Sequence, residues 1–182
     1  VVFAVDRSGI VGQDGPTHHG VYDLSYFRHI PNMVLMAPKD ENELRQMLYS
    51  GYRYGRPVAI RYPRGEALGV PIEDDFSEIP LGTWESLREG KDITMIACGN
   101  MVAAAVEAAD VLAAEGVDAG VVNGRFIKPM DEKLLAEVAE RTGRILTLEE
   151  NVVIGGFGSG VGEALARAGS HIPLRSMGIP DT

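Results

Sequence analysis

The 182 residues are 45% hydrophobic and 24% charged, material for one or two ordinary soluble domains of ~100–200 residues each. That balance excludes a disordered tail, a collagen-like repeat and a small disulfide-stapled knot. The net charge of −9 argues against general binding of nucleic acid or an anionic membrane, but leaves room for a local arginine cluster that takes one phosphate.

In chain order, Val1–Val5 is an apolar, β-branched run that predicts a strand, followed by a Gly-rich polar loop from Asp6 to Gly20. A short helical turn is expected over Asp23–His29 and a buried strand over Met33–Ala37. Asp40 is positioned to cap a helix running to about Tyr54, with Glu41 and Glu43 in the first turn, where the helix dipole favours acids. Pro57–Arg61 predicts a further strand, and Tyr62–Gly69 a loop. From about 70 to 90 the chain is acidic and punctuated by Pro71, Pro80 and Gly82, as in an interdomain linker. Beyond it the pattern is regular: strand Ile93–Cys98, helix Met101–Glu115 closed by Gly116, strand Val117–Val122, helix Asp131–Thr142, strand Arg144–Leu148, helix Gly160–Ala168 and strand Pro173–Met177. Strands alternating with helices predict right-handed βαβ units and a mostly parallel α/β sheet. No apolar run reaches the ~18–20 residues of a membrane span. The single cysteine, Cys98, permits neither an intrachain disulfide nor a cysteine-based zinc site and fits a reducing, cytoplasmic compartment.

Three stretches could carry chemistry. The loop D-R-S-G-I-V-G-Q-D-G-P-T-H-H-G, residues 6–20, follows a strand end, where open α/β sheets place their ligands. Its Asp14 can orient an imidazole or bind a hydroxyl, and His18 can relay protons near neutral pH; His19 reads as merely polar. R-Y-P-R-G, residues 61–65, also lies past a strand end, and guanidiniums grip phosphate with paired hydrogen bonds. The run G-G-F-G-S-G-V-G-E-A-L, residues 155–165, lacks both dinucleotide spacing and a Walker lysine, so a close strand-to-helix turn packed on a neighbour is expected there. Glu149 and Glu150 adjoin on a strand and point to opposite faces, which argues against a catalytic dyad. Cys98 and Met33, Met36 and Met47 read as core.

Asp14-Gly15-Pro16-Thr17-His18, with D-L-S-Y-F-R-H-I-P-N-M at 23–33, R-Y-P-R-G at 61–65 and E-E-N-V-V-I-G-G-F-G-S-G-V at 149–161, resembles the transketolase-like thiamine-diphosphate enzymes over nearly the whole chain. The resemblance is to the branch that condenses pyruvate with D-glyceraldehyde 3-phosphate, releases CO2 and feeds isoprenoid, thiamine and pyridoxal synthesis. It implies that residues 1–69 are the C-terminal part of a pyrimidine-binding domain, 70–90 a linker, and 91–182 a truncated transketolase C-terminal-like domain that supports a homodimer. It further implies that Arg7 and Arg64 bind the aldehyde phosphate, and that Asp14 and His18 are the active-site acid and imidazole. Ser8 stands where alanine is common in the family, a departure expected to matter little.

The family's Gly-Asp-Gly…Asn motif for diphosphate and Mg2+ does not occur in the sequence. The glutamate that activates the aminopyrimidine is implied to precede residue 1. The chain thus reads as a piece of a longer transferase, working with the N-terminal part of the same enzyme. Two other readings are a β-type subunit of a heteromeric thiamine-diphosphate enzyme and a non-catalytic α/β dimerisation module. On the first reading, residues 1–182 alone bind no thiamine diphosphate and show no activity. Titration calorimetry with the cofactor and Mg2+ checks this, and tight binding would overturn it.

Overall fold

A computed structural model describes residues 1–181 and arranges them around two sheets. The first sheet has the order β1-β3-β2-β7, with β1 Val2–Val5, β2 Val34–Met36, β3 Val58–Arg61 and β7 Phe126–Lys128. The first three strands are parallel, and β7 closes the edge antiparallel to β2. The second sheet, β4-β6-β5-β8-β9, uses Glu85–Arg88, Ala119–Asn123, Ile93–Ala97, Ile145–Val152 and Leu174–Ile179. Only β4 runs antiparallel there. The expected α/β class and parallel pairing are present in both sheets.

The helices form where local chemistry supports them. In α2 (Glu41–Arg53) the Asp40 carboxylate accepts from the Glu43 amide at 2.7 Å, satisfying one of the free N–H groups at the helix start. In α4 (Glu132–Thr142) Asp131 does the same for Leu134 at 3.0 Å, and Gly143 ends the helix at φ 62°. Helix α3 (Met101–Ala114) is followed by Gly116 at φ 84°, the predicted stop. The turn at Asp23–Arg28 is α1 and the last helix, Phe157–Arg167, is α5. Among the described residues no helix is long and apolar enough to cross a membrane.

Alternation along β5 feeds two cores. Ile96 faces a large cluster containing Met36, Ile60, Trp84, Phe126, Val138 and Phe157. Met95 and Ala97 face a smaller one with Ala105 and Ala109 of α3. The middle of the sheet is therefore covered on both sides, which is why β5 and β6 lack polar alternation. The large cluster runs through both halves of the chain and is fastened by Trp84, whose indole N–H donates to the Phe126 carbonyl at 2.8 Å.

Several elements differ from the sequence expectation. Strands β4 and β7 lie outside the elements that the sequence predicts: β4 lies inside the acidic 70–90 stretch, and β7 leaves the second half of the chain to join the first sheet. Helix α5 begins at Phe157 rather than Gly160, because the buried Glu149 carboxylate accepts from the Phe157 and Gly158 amides at 2.7 and 2.8 Å. Around that cap the chains approach too closely for side chains: a Cβ on Gly156 would strike Glu149, and one on Gly158 would strike Ser176 and Thr147. The glycine run is thus the packed strand-to-helix turn that was expected. Residues 70–79 lie along α2. Arg45 donates to the carbonyls of Glu73, Asp74 and Asp75, and Gln46 and Ser50 accept from the Ser77 and Ile79 amides.

Burial pushes the Glu149 carboxyl up from 4.5 to about 7, against the opposing Gly158 and Phe157 amides and the more distant Arg61 and Arg28 charges. An acid whose folded pKa exceeds its unfolded value takes up protons on folding. The contribution of Glu149 to stability therefore falls as pH rises from about 4.5 to about 7 and levels off above that. Denaturant unfolding at pH 5 and pH 7.5 should show this loss in the parent protein and a smaller one in Glu149→Gln.

Candidate active site

Two loops leave neighbouring parallel strands at the same end of the first sheet. The first, residues 6–20, is closed at its neck: Gly9 and Gly20 exchange backbone hydrogen bonds at 2.9 and 3.1 Å, and the Gly20 amide also donates to the Arg7 carbonyl at 2.9 Å. A Cβ at Gly20 would run into that carbonyl and into Asp23, so this neck requires glycine. Arg7 is held at φ 61°, the left-handed region that a non-glycine residue occupies only under constraint. The second loop starts at Tyr62, whose amide donates to the Val5 carbonyl and whose carbonyl accepts from the Ser8 amide, at 3.0 and 3.1 Å. The two loops are thereby zipped together beyond the strand ends.

This zipping brings Arg7, Asp14 and Arg64 together. Arg7 Nε donates to Asp14 Oδ2 at 2.9 Å, and Arg64 Nη1 donates to Asp14 Oδ1. One carboxylate thus spans two guanidiniums from different strand ends. Asp6 also accepts from Arg7 Nη1 at 2.5 Å. The remaining donors of both forks have no side-chain partner among the described hydrogen bonds. Between the loops opens a cleft of about 510 Å³, lined by Ile10–Gln13 and Arg64–Glu66.

His18 makes no hydrogen bond to this cluster among the described residues. It closes a 3₁₀ turn, Pro16–His18, is exposed, and its ring Nδ1 pairs with the Thr17 hydroxyl at 3.1 Å. The side-chain partners of Asp14 are two arginines and no imidazole among the described residues. The adjacent His19 accepts from the Val11 amide through Nδ1 at 3.0 Å and so pins the loop internally.

The other arginine of R-Y-P-R-G has a different task. Arg61 is 2% exposed. Its Nη2 donates to the carbonyls of Gly20 at 2.7 Å and Glu150 at 3.1 Å, and its Nε faces Asp23 at 3.4 Å. Glu149 and Glu150 do point apart, the former to α5 and the latter to Ser8 and Gly9. Ser8 is buried and its hydroxyl donates to Glu150 at 3.4 Å. The departure at Ser8, expected to be inert, therefore supplies a long contact between the two halves of the chain. Burial raises the Glu150 carboxyl, while Arg61 and Ser8 lower it.

Among the described residues no three His, Cys, Asp or Glu side chains gather as a metal site. The set that does converge is two guanidiniums on one carboxylate, with Arg64 at the edge of the open cleft, and it is suited to an anion and a hydroxyl. Among the described residues this set offers no cluster of acidic or imidazole ligands with which to hold a diphosphate-bound metal.

A parallel α/β unit with an open cleft at its strand ends, tied to a second α/β unit, defines the class. The model described as the transketolase pyrimidine binding domain matches residues 1–68, and that of the transketolase C-terminal domain matches 82–182. The chain belongs to the transketolase family. Within it, the chain is 54% identical over 181 residues to the 1-deoxy-D-xylulose-5-phosphate synthase of Heliobacterium modesticaldum and 56% identical over 181 residues to that of Aquifex aeolicus. These alignments take in all of this chain but only 28% and 29% of the relatives, so it spans under a third of their length. Among solved structures, a split-gene transketolase described as an inactive beta4 tetramer aligns with TM-score 0.87 and 38% identity, covering 99% of this chain and 57% of that one. The transketolase of Campylobacter jejuni aligns with TM-score 0.70 and 25% identity, covering 98% and 26%.

The two arginines of R-Y-P-R-G should separate by experiment. Arg61→Ala leaves the Asp23 charge buried and should cost about 3–5 kcal/mol of unfolding free energy. Arg64→Ala, at an exposed pair, should cost at most about 1 kcal/mol. Urea unfolding of both variants measures the contrast.

Proposed function

We propose that this segment supplies the aldehyde-recognising side of the pocket in a thiamine-diphosphate-dependent synthase. That enzyme joins pyruvate to D-glyceraldehyde 3-phosphate, releases CO2 and forms 1-deoxy-D-xylulose 5-phosphate. The observation that carries the reading is the convergence of Arg7 and Arg64 from two strand ends on one carboxylate, Asp14, beside an open cleft that Arg64 lines. Identity of 54–56% to relatives named as that synthase supports it over the 38% identity to the split-gene transketolase.

The division of labour follows from the charges. A phosphate dianion at the cleft meets Arg64 and, across the shared Asp14, Arg7, whose forks are aimed by that carboxylate and by the left-handed backbone at Arg7. Charge-assisted, paired N–H···O bonds of this kind are short and strong, and arginine presents them better than lysine. Asp14, bridging both arginines, holds their spacing and offers its carboxylate to a substrate hydroxyl. His18, exposed on the same loop, is available to move a proton at the carbonyl oxygen of the aldehyde. Thiamine diphosphate, when bound, supplies the electron sink for the carbon left by decarboxylation. Its diphosphate and Mg2+ are held by residues outside this segment.

Kinetics on the full-length enzyme test the roles. Arg7→Ala and Arg64→Ala should each raise KM for D-glyceraldehyde 3-phosphate by about 10–100-fold, the loss of a charged hydrogen-bond pair, and leave KM for pyruvate near the parent value. His18→Ala should lower kcat by about 10²–10⁴-fold. An unchanged aldehyde-phosphate KM in both arginine variants would refute the phosphate assignment.

A further inference from the structure

Arg64 is carried on a segment with few attachments of its own. Behind it, Tyr62 is tied to the β1 end. From Pro63 to Ala67 no described backbone–backbone hydrogen bond reaches the chain. The next attachments are the consecutive amides of Leu68, Gly69 and Val70, and all three donate to one carboxylate, that of Glu41, at 3.3, 2.7 and 2.9 Å. Gly69 is at φ 79°, and the three successive N–H groups turn inward as an anion-binding nest. Glu41 is the first residue of α2, whose start is fixed by the Asp40 cap and whose Met47 is fully buried in the main core. The carboxylate is thus mounted on a rigid element, and the loop hangs from it. A cavity of about 300 Å³ lies beside this loop, lined by Glu41, Leu44 and residues 62–68, so little packing there replaces the clamp.

We infer that Glu41 is a positioning residue for Arg64: by gripping the 68–70 amides it sets the far anchor of the loop that delivers the guanidinium to the cleft, and so it tunes recognition of the aldehyde's phosphate. The inference rests on the reading that Arg64 binds that phosphate. Hydrogen bonds from its own amide and, against some burial, from Gly69, Val70 and Leu68 hold the Glu41 carboxyl below the ordinary carboxylate range, so the clamp stays charged at neutral pH. The sequence assigned Glu41 only to the helix dipole, a role that any first-turn acid fills.

The test compares D-glyceraldehyde 3-phosphate with unphosphorylated glyceraldehyde in the full-length enzyme. Glu41→Ala should raise KM for the phosphorylated aldehyde about tenfold, with kcat, KM for pyruvate and kcat/KM for glyceraldehyde within about twofold of the parent. Glu41→Gln keeps one acceptor oxygen and should show a smaller rise. In an Arg64→Ala background, Glu41→Ala should add no further loss of phosphate selectivity, because the group it positions is gone. If Arg64→Ala abolishes that selectivity while Glu41→Ala retains it, or while Glu41→Ala depresses both aldehydes alike, the positioning role is overturned and the phosphate reading stands. If Arg64→Ala itself keeps full selectivity, the phosphate reading fails and the role of Glu41 falls with it. Should Glu41→Ala not yield folded enzyme, Glu41→Gln decides: selectivity equal to the parent overturns the inference, and a selective rise in KM supports it.

Discussion

A guanidinium removed from water must find protein oxygens for its donors, and Arg61 finds them on three separate parts of the chain. It ends β3, holds the neck of the 6–20 loop through the Gly20 carbonyl, reaches the β8 strand through the Glu150 carbonyl, and faces Asp23 at the start of α1. Satisfying one charge therefore fixes the loop that bears Arg7 and Asp14 relative to both sheets. The end of β8 adds to this junction: the Asn151 side chain accepts from the Leu24 amide and donates to Ser25, and the Val152 amide donates to the Val21 carbonyl. The C-terminal unit holds none of the converging arginines, yet it braces the ground they stand on.

The same logic of a rigid mount and a suspended loop recurs on the other side of the cleft. Helix α2 presents Glu41, Asn42, Arg45, Gln46 and Ser50 to the 68–79 stretch, and each meets backbone groups there. A segment with no helix or strand of its own has its backbone polar groups satisfied by side chains of a neighbouring helix. This allows an acidic, proline-punctuated composition to follow one defined course.

What the sequence disclosed tracks the range of the forces involved. The Asp40 and Asp131 caps, the Gly116 stop and the apolar runs of β2, β3 and β5 are local signals, and they could be read locally. Strands β4 and β7 are short, and they exist because β6 and β2 lie beside them, which no window of sequence contains. The start of α5 depends on Glu149, eight residues before Phe157 and on another element. The meeting of Arg7 with Arg64 came from family resemblance and not from spacing, since 57 residues separate them. The clamp by Glu41 was hidden because helix-start acids are common and its partners are backbone amides, which carry no sequence signature.

Strand β7 belongs in sequence to the second unit but completes the first sheet, pairing Met36 with Phe126 and Leu35 with Lys128. During synthesis β1, β2 and β3 emerge well before it, so β2 waits with an open edge while some sixty further residues are made. An unpaired, fully apolar edge is a template for pairing with another chain. The sheet that carries the arginines is thus finished only by a long-range contact, and its assembly is timed by the translation of its neighbour.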